Sequence, residues 1–310
     1  MNILITGALN CTGPQLESIR SLGCKILLVK DERVPLKEDV SSIEIVVCNS
    51  LFLYNDISTF SRLRFIQLTS AGTDRIPLEY TAARNIRVAN AAGVYSIPMS
   101  EWAVLKVLEL YKASRRFFEA QNLSIWRKER GILELSGRRA AIMGFGSVGQ
   151  ETARRLRPFG VYIVAVDKRE MLPEEKALAD EIRFPDEADF ILETSDMVIL
   201  SLPLTEKTRD FMSRERIFRM KRGSVIINLA RGGLLDEDAL ADALREGILY
   251  GAALDVFREE PLPVNSPLWK MENVIITPHN SFLSDRTNKR LFDLIYSNLK
   301  KEIKKSKEEE

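Results

Sequence analysis

Histidine is nearly missing from this chain: among its 310 residues only His279 is one. Histidine is the side chain whose unperturbed pKa, about 6.5, allows proton exchange near neutrality. Any histidine acid–base chemistry therefore has a single candidate. Cysteine is also scarce. Cys11, Cys24 and Cys48 are odd in number, widely spaced and without a CxxC pair, which suits thiols buried as small apolar residues in a reducing cytoplasm. A catalytic cysteine would find no histidine partner other than His279. Net charge is nearly absent too, at +1, so no global field points to nucleic acid or an acidic membrane surface. No run of about 18 apolar residues exists, which removes a spanning helix. The start, Met1-Asn-Ile-Leu-Ile-Thr-Gly7, has no basic stretch, long apolar run or cleavage site, so no signal peptide is expected.

What is present is a soluble-protein composition, 45% hydrophobic and 29% charged, in a length that suits two domains with a core each. Short Val/Ile/Leu runs alternate with helical stretches, the texture of α/β layers around parallel sheets. The first series of strands is expected at Asn2–Thr6, Lys25–Val29, Glu44–Cys48, Arg64–Leu68 and Ile86–Ala89. A second series follows at Ala140–Met143, Tyr162–Val166, Met197–Ser201, Val225–Asn228, Ala252–Leu254 and Val274–Thr277. Between them one long helix is expected from about Pro98 to Glu119, followed by a polar segment around Gln121–Arg130. The stretch after Asp285 reads as helical and as returning to the first domain. The expected architecture is a second α/β domain, residues 96–283, inserted into a split first α/β domain formed by residues 1–95 and 284–310. The mixed charge run from Lys300 to Glu310 reads as a solvated helix end.

Ala140-Ala-Ile-Met-Gly144-Phe-Gly146-Ser147-Val148-Gly149 sets a GxGxxG turn between a strand and a helix. In such a turn Gly144 makes the tight bend, Gly146 admits a pyrophosphate to the backbone and Gly149 allows close helix–strand packing. The amides and dipole at the helix start favour the phosphate charge. The next strand ends in Asp167, 23 positions beyond Gly144, near the spacing of a ribose-binding acid. That acid favours NAD, while Lys168 and Arg169 directly after it leave NADP open. Gly7 to Gly13 near the start lacks the pattern.

Three more segments carry charge to strand ends. Val225-Ile-Ile-Asn-Leu-Ala-Arg231-Gly-Gly puts an arginine where open α/β sheets bind ligands; it suits a two-pronged grip on a carboxylate or, equally, a surface turn. Ala252-Ala-Leu-Asp255 runs into an acidic, proline-stiffened loop in which Asp255 and Glu260 both suit a site acid and Glu259 suits solvent. Asn273-Val-Ile-Ile-Thr-Pro-His279 ends a strand at the sole histidine, a position that alone suits an ordinary polar strand end. Together these groups match the needs of hydride transfer from a 2-hydroxy acid: a nicotinamide acceptor, a base for the hydroxyl proton and a cation for the carboxylate.

The chain resembles the D-isomer-specific 2-hydroxyacid dehydrogenase family from about Ile66 to His279. The resemblance rests on Gly144-Phe-Gly-Ser-Val-Gly149, Ser201-Leu-Pro-Leu-Thr205, Asn228-Leu-Ala-Arg-Gly-Gly233, Ala253-Leu-Asp-Val-Phe257, Glu260-Pro-Leu-Pro263 and Ile276-Thr-Pro-His279. It implies a Rossmann-type cofactor domain in a split, flavodoxin-like substrate domain, with Arg231 binding substrate, Glu260 partnering the histidine and His279 exchanging the proton. It also implies NAD contacts at Ser147, Val148, Asp167, Leu202, Leu229, Ala230 and Asp255, with Ala71 and Gly72 holding the substrate carboxylate through backbone amides. No metal is implied. A homodimer through Glu101–Arg130 is a further expectation, with Trp126 and Trp269 as core, interface or pocket aromatics. The chain departs from the family's small residues after the histidine, with Asn280-Ser281-Phe282-Leu283 in their place. Glu260 stands where the formate dehydrogenase branch is expected to have glutamine. With the chain ending at Glu310, phosphoglycerate is less expected than glyoxylate, hydroxypyruvate or an apolar 2-keto acid. The alternative is a non-catalytic NAD-sensing interaction protein of the same superfamily.

Overall fold

The computed structural model describes residues 1–309. In chain order the first elements are β1 (Asn2–Thr6), α1 (Gly13–Arg20), β2 (Lys25–Val29), β3 (Ile45–Cys48), α2 (Leu51–Tyr54), β4 (Phe65–Leu68), α3 (Leu78–Ala83) and β5 (Arg87–Ala89). Next come α4 (Ser96–Tyr111), α5 (Ser114–Asn122), β6 (Arg139–Met143), α6 (Ser147–Leu156), β7 (Tyr162–Val166), α7 (Pro173–Lys176), β8 (Glu181–Arg183), α8 (Ala188–Thr194) and β9 (Met197–Leu200). The last are α9 (Arg214–Arg219), β10 (Ser224–Asn228), α10 (Glu237–Arg245), β11 (Leu249–Leu254), β12 (Val274–Ile276) and α11 (Thr287–Glu309). The chain divides into two compact units, Met1–Tyr95 with Ser284–Glu310, and Ser96–Leu283.

The first unit holds a five-stranded sheet in the order β2-β1-β3-β4-β5, with every pairing parallel. This is the flavodoxin-like strand order. Alternate residues of each strand point to opposite faces. Ile3, Ile5, Ile45 and Val47 therefore pack with α1 and α11, while Leu4, Val46 and Ile66 pack with Leu51, Ile57 and Ile76 on the other face. α11 joins the core through Leu291, Ile295, Leu299 and Ile303, a four-residue spacing that lines one helix face. Asn298 Nδ2 donates to Gln67 Oε1 on β4 at 2.8 Å, and Arg87 on β5 pairs with Glu302. These two polar links tie the end of the chain to β4 and β5.

The second unit holds a seven-stranded parallel sheet in the order β12-β11-β10-β9-β6-β7-β8. The chain enters at β6, winds out to β8, then returns to place β9 on the other side of β6. Order reverses between β6 and β9, and in open α/β sheets ligands bind beyond the carboxyl ends of strands at that crevice. Ala140 and Ile142 pack with α4 and α6, while Ala141 and Met143 pack toward α8, α9 and α10. Strands covered on both faces have no reason to alternate polar and apolar residues, hence the unbroken Met197-Val-Ile-Leu200 of β9, buried throughout.

Two expectations need correction. The single helix expected from Pro98 to Glu119 is two helices: α4 ends at Tyr111, and Ala113 turns left-handed at φ 51° before α5 begins. β8 was not expected at all, being three residues long and charged at both ends as the outermost strand. β1, β2 and β7 span the expected residues and the other strand ends shift by one, except β11, which begins three residues early at Leu249.

Candidate active site

Every charged or glycine-rich segment singled out in residues 96–283 lies beyond the carboxyl end of a strand of the seven-stranded sheet. The glycine turn follows β6 and Asp167 follows β7. Leu202 follows β9 and Arg231 follows β10. Asp255 ends β11, and His279 lies just after β12. Parallel strands place all these ends on one edge of the sheet, which is why residues scattered over some 140 positions share a neighbourhood. Ala71 and Gly72 belong to the first unit, in the loop after β4. There Asn90 Nδ2 donates to Ala71 O at 2.8 Å, Ser70 Oγ donates to Gly72 O at 2.9 Å and the Ala91 N–H donates to Ser70 O at 2.8 Å.

The turn after β6 is shaped by its glycines. Gly144 has φ +92°, and a Cβ there would lie 2.7 Å from the backbone of Leu202. A Cβ on Gly149 would lie 2.3 Å from the Gly144 carbonyl oxygen, so α6 packs against the turn as only glycine permits. Gly146 differs: a Cβ there would meet nothing within 4 Å. The space over Gly146 is thus open on the side where a pyrophosphate would approach. No side chain caps the start of α6, leaving its first amides for an external acceptor. These features fit a dinucleotide.

Asp167 faces the same turn. Its Oδ2 accepts the Phe145 N–H at 2.9 Å and its Oδ1 accepts the Arg169 N–H at 3.2 Å, so the carboxylate is oriented while each oxygen keeps a lone pair for a ribose hydroxyl. Arg169 is committed elsewhere. Its Nη1 and Nη2 donate to Glu175 Oε2 and Oε1 at 2.7 and 2.8 Å. The Leu229 side chain is 1% exposed and belongs to the core, while the Ala230 N–H donates to Asn228 Oδ1 at 3.2 Å.

The charged end of the site is built from three neighbouring strands. Arg231 Nη1 donates to Ala230 O at 2.7 Å, and Asn228 Nδ2 donates to Arg231 O at 3.0 Å. A Cβ on the following Gly232 would fall 1.9 Å from the Phe257 carbonyl carbon. The Arg231 turn therefore lies directly against the loop that carries Glu260. In that loop the Phe257 N–H donates to Glu260 Oε1 at 3.0 Å, and the other oxygen, Oε2, meets His279 Nδ1 at 2.7 Å. Both partners are about one-third exposed. Glu259 is exposed.

Asp255 does more than end a strand. It is fully buried, and its Oδ1 accepts from Thr277 Oγ1 at 2.6 Å and the Asn280 N–H at 3.0 Å, while Oδ2 accepts the Ser281 N–H at 2.9 Å. Its carbonyl accepts the His279 N–H at 2.8 Å. This carboxylate wraps the loop around His279, which sits at φ 51°, an uncommon region for a residue with a Cβ. Phe282 then sets its ring edge-to-face against the imidazole, with centroids 6.1 Å apart. Sequence reasoning missed Thr277, Glu175 and the Phe282 contact; the hydroxyl two residues before the histidine was the one available signal. Trp126 is fully exposed, and Trp269 Nε1 donates to Pro263 O at 3.0 Å.

Residues 103–281 match the model of the NAD binding domain of D-isomer specific 2-hydroxyacid dehydrogenases. The chain is 34% identical over 243 residues to the glyoxylate reductase of Korarchaeum cryptofilum, covering 77% of this chain and 72% of that one. It is 32% identical over 293 residues to the D-3-phosphoglycerate dehydrogenase of Methanocaldococcus jannaschii, covering 93% of this chain but spanning only 55% of that longer protein. A crystal structure of a glyoxylate reductase from Paecilomyes thermophila has the same fold, with TM-score 0.88 at 23% identity over 99% of this chain and 96% of that one. The chain belongs to the D-isomer specific 2-hydroxyacid dehydrogenase family.

Proposed function

We propose that this protein is an NAD(H)-dependent oxidoreductase that interconverts a small D-2-hydroxy acid and its 2-keto acid. The observation that carries the reading is the His279–Glu260 pair at 2.7 Å, in a loop that Gly232 presses against the Arg231 turn. Bound nicotinamide supplies or accepts the hydride. Glu260 accepts from Nδ1, which fixes the imidazole plane and leaves Nε2 as the atom that gives or takes the hydroxyl proton. Arg231 holds the substrate carboxylate and polarises the neighbouring carbonyl, a stabilisation arranged before reaction begins. Asp255 orients the histidine through the backbone, and Phe282 restricts the ring's other motions.

The names of relatives support glyoxylate and phosphoglycerate as substrates to try first. The exposed apolar side chains Phe118, Leu123, Ile125 and Trp126 support a homodimer through this segment. The odd number and wide spacing of the three cysteines support a reducing, cytoplasmic setting.

The test is a panel of 2-keto acids with NADH, followed by loss of reduced-cofactor absorbance, on wild type and His279→Ala. The substitution should lower kcat by about 10²–10⁴-fold, the range of general acid–base catalysis, with cofactor affinity little changed. A wild-type rate in the variant between pH 6 and 8, roughly the range histidine serves, would remove His279 from the mechanism. Tight cofactor binding by the wild type with no turnover on any acid would favour the sensing role instead.

A further inference from the structure

We propose that Glu175 sets the choice between the two nicotinamide dinucleotides, by occupying the Arg169 guanidinium that a ribose 2′-phosphate would otherwise engage. The inference rests on the reading that Asp167 and the turn after β6 receive the cofactor. An arginine just beyond the acid at the end of this strand is placed to accommodate a 2′-phosphate. Arg169 has that placement, two residues after Asp167, yet its donors are occupied.

The pairing with Glu175 is two-pronged, the geometry in which a guanidinium and a carboxylate fit best. Nη2 also donates to the Phe145 carbonyl at 3.1 Å, Nη1 reaches Glu170 O at 3.4 Å, and Nε lies 3.9 Å from Asp167 Oδ2. The anchor is the carboxylate rather than the guanidinium. Glu175 also accepts from Gln150 Nε2 on α6 at 2.7 Å and from the Leu172 N–H at 2.8 Å. Its side chain is 12% exposed against 41% for Arg169. These donors, Arg169 first and the Leu172 N–H second, hold the Glu175 carboxyl down to about 2, so it is ionised at neutral pH.

The electrostatic consequence is specific to the 2′ position. Ribose hydroxyls need only an acceptor, which Asp167 provides. A 2′-phosphate brings a charge of about −1.5 to −2 to a place where two carboxylates, Asp167 and Glu175, already share one guanidinium. Exposed Lys168 alongside offers a solvated point charge rather than a fork. Glu175 acts only through Arg169 and is a positioning residue.

The test is calorimetric titration of the full chain with NADH and with NADPH, for wild type, Glu175→Gln and the double variant Glu175→Gln/Arg169→Ala. Wild type should bind NADH at least tenfold more tightly than NADPH. E175Q should narrow that ratio at least tenfold, chiefly through tighter NADPH binding, and the added salt dependence should appear for NADPH alone. The second substitution should restore the wild-type preference. A purely structural role for Glu175 would move both affinities together and leave the ratio within twofold, which overturns the proposal. So would a change of preference obtained with Lys168→Ala and not with E175Q, or a wild type that does not prefer NADH. If E175Q is poorly folded, Glu175→Asp, too short to span to Arg169, is titrated in its place with the same expected narrowing. Wild type binding neither nucleotide would remove the cofactor reading itself, whereas NADH binding with an unmoved ratio would remove only this inference.

Discussion

The chain passes from a parallel strand into a helix after β1 and again after β6, and the two connections are finished differently. After β1, Gly7 brings the backbone so close to β2 that a Cβ would lie 2.1 Å from the Lys30 carbonyl oxygen. The helix that follows is closed by its own side chains. Thr12 Oγ1 accepts the Gln15 N–H, Gln15 Oε1 accepts the Thr12 N–H at 2.8 Å, and Pro14 removes a further donor. After β6 the close approach is again made by glycine, yet α6 starts with no cap, and Gly146 opens onto empty space. A capping box satisfies helix-start amides permanently; an uncapped start leaves them for a ligand. One helix start is capped by its own side chains, and the other is left open to a ligand.

The strongest way to break this contrast is Gly144→Ala. The added Cβ meets the Leu202 backbone at 2.7 Å, and the residue must keep φ +92°, a strain of about 1–3 kcal/mol before the clash. Thermal unfolding should shift down by several degrees, and calorimetry should show NADH binding lost. Gly146→Ala sharpens the contrast further. Its backbone, φ −76° and ψ −163°, is open to any residue, so the melting temperature should stay within a degree or two. NADH affinity should nevertheless fall at least tenfold, about 1.4 kcal/mol, because the methyl occupies the space left for the phosphates. Gly13→Ala is the matched control in the first unit, where a Cβ also meets nothing; it should change neither quantity. An unaffected affinity in Gly146→Ala would mean that the open space is not where the cofactor lies. The smallest effect belongs to Thr12→Ala, which should cost about 1 kcal/mol in denaturant unfolding, as a lost cap does, with NADH binding untouched.

This contrast also marks what the sequence could reveal. Strands β9 and β10 are buried along their length and read directly as apolar runs. The edge strand β8 carries Glu181 and Arg183, which pair with each other and lack the apolar signature. The break between α4 and α5 was illegible because alanine is a strong helix former, and only tertiary context turns Ala113 left-handed. In the site, glycine spacing and charged strand ends were legible because parallel strands bring their ends together whatever lies between. The Glu175–Arg169 pairing was not, since Pro173-Glu-Glu175 looks like any acidic helix start. Nor was the hold of Asp255 on its loop, which acts on backbone groups that every sequence has.

That hold acts on the main chain of the segment after His279. Asp255 receives the N–H groups of Asn280 and Ser281, not their side chains. Proline, lacking the N–H, is refused at both positions, and Ser281, being buried, is constrained by the packing of its side chain as well. A new side chain at exposed Asn280 leaves this anchor in place, because the anchor is the main chain. The freedom ends at Phe282, whose ring touches the imidazole. Asn280 can therefore change its side chain without re-aiming His279, whereas Phe282 packs on the ring itself.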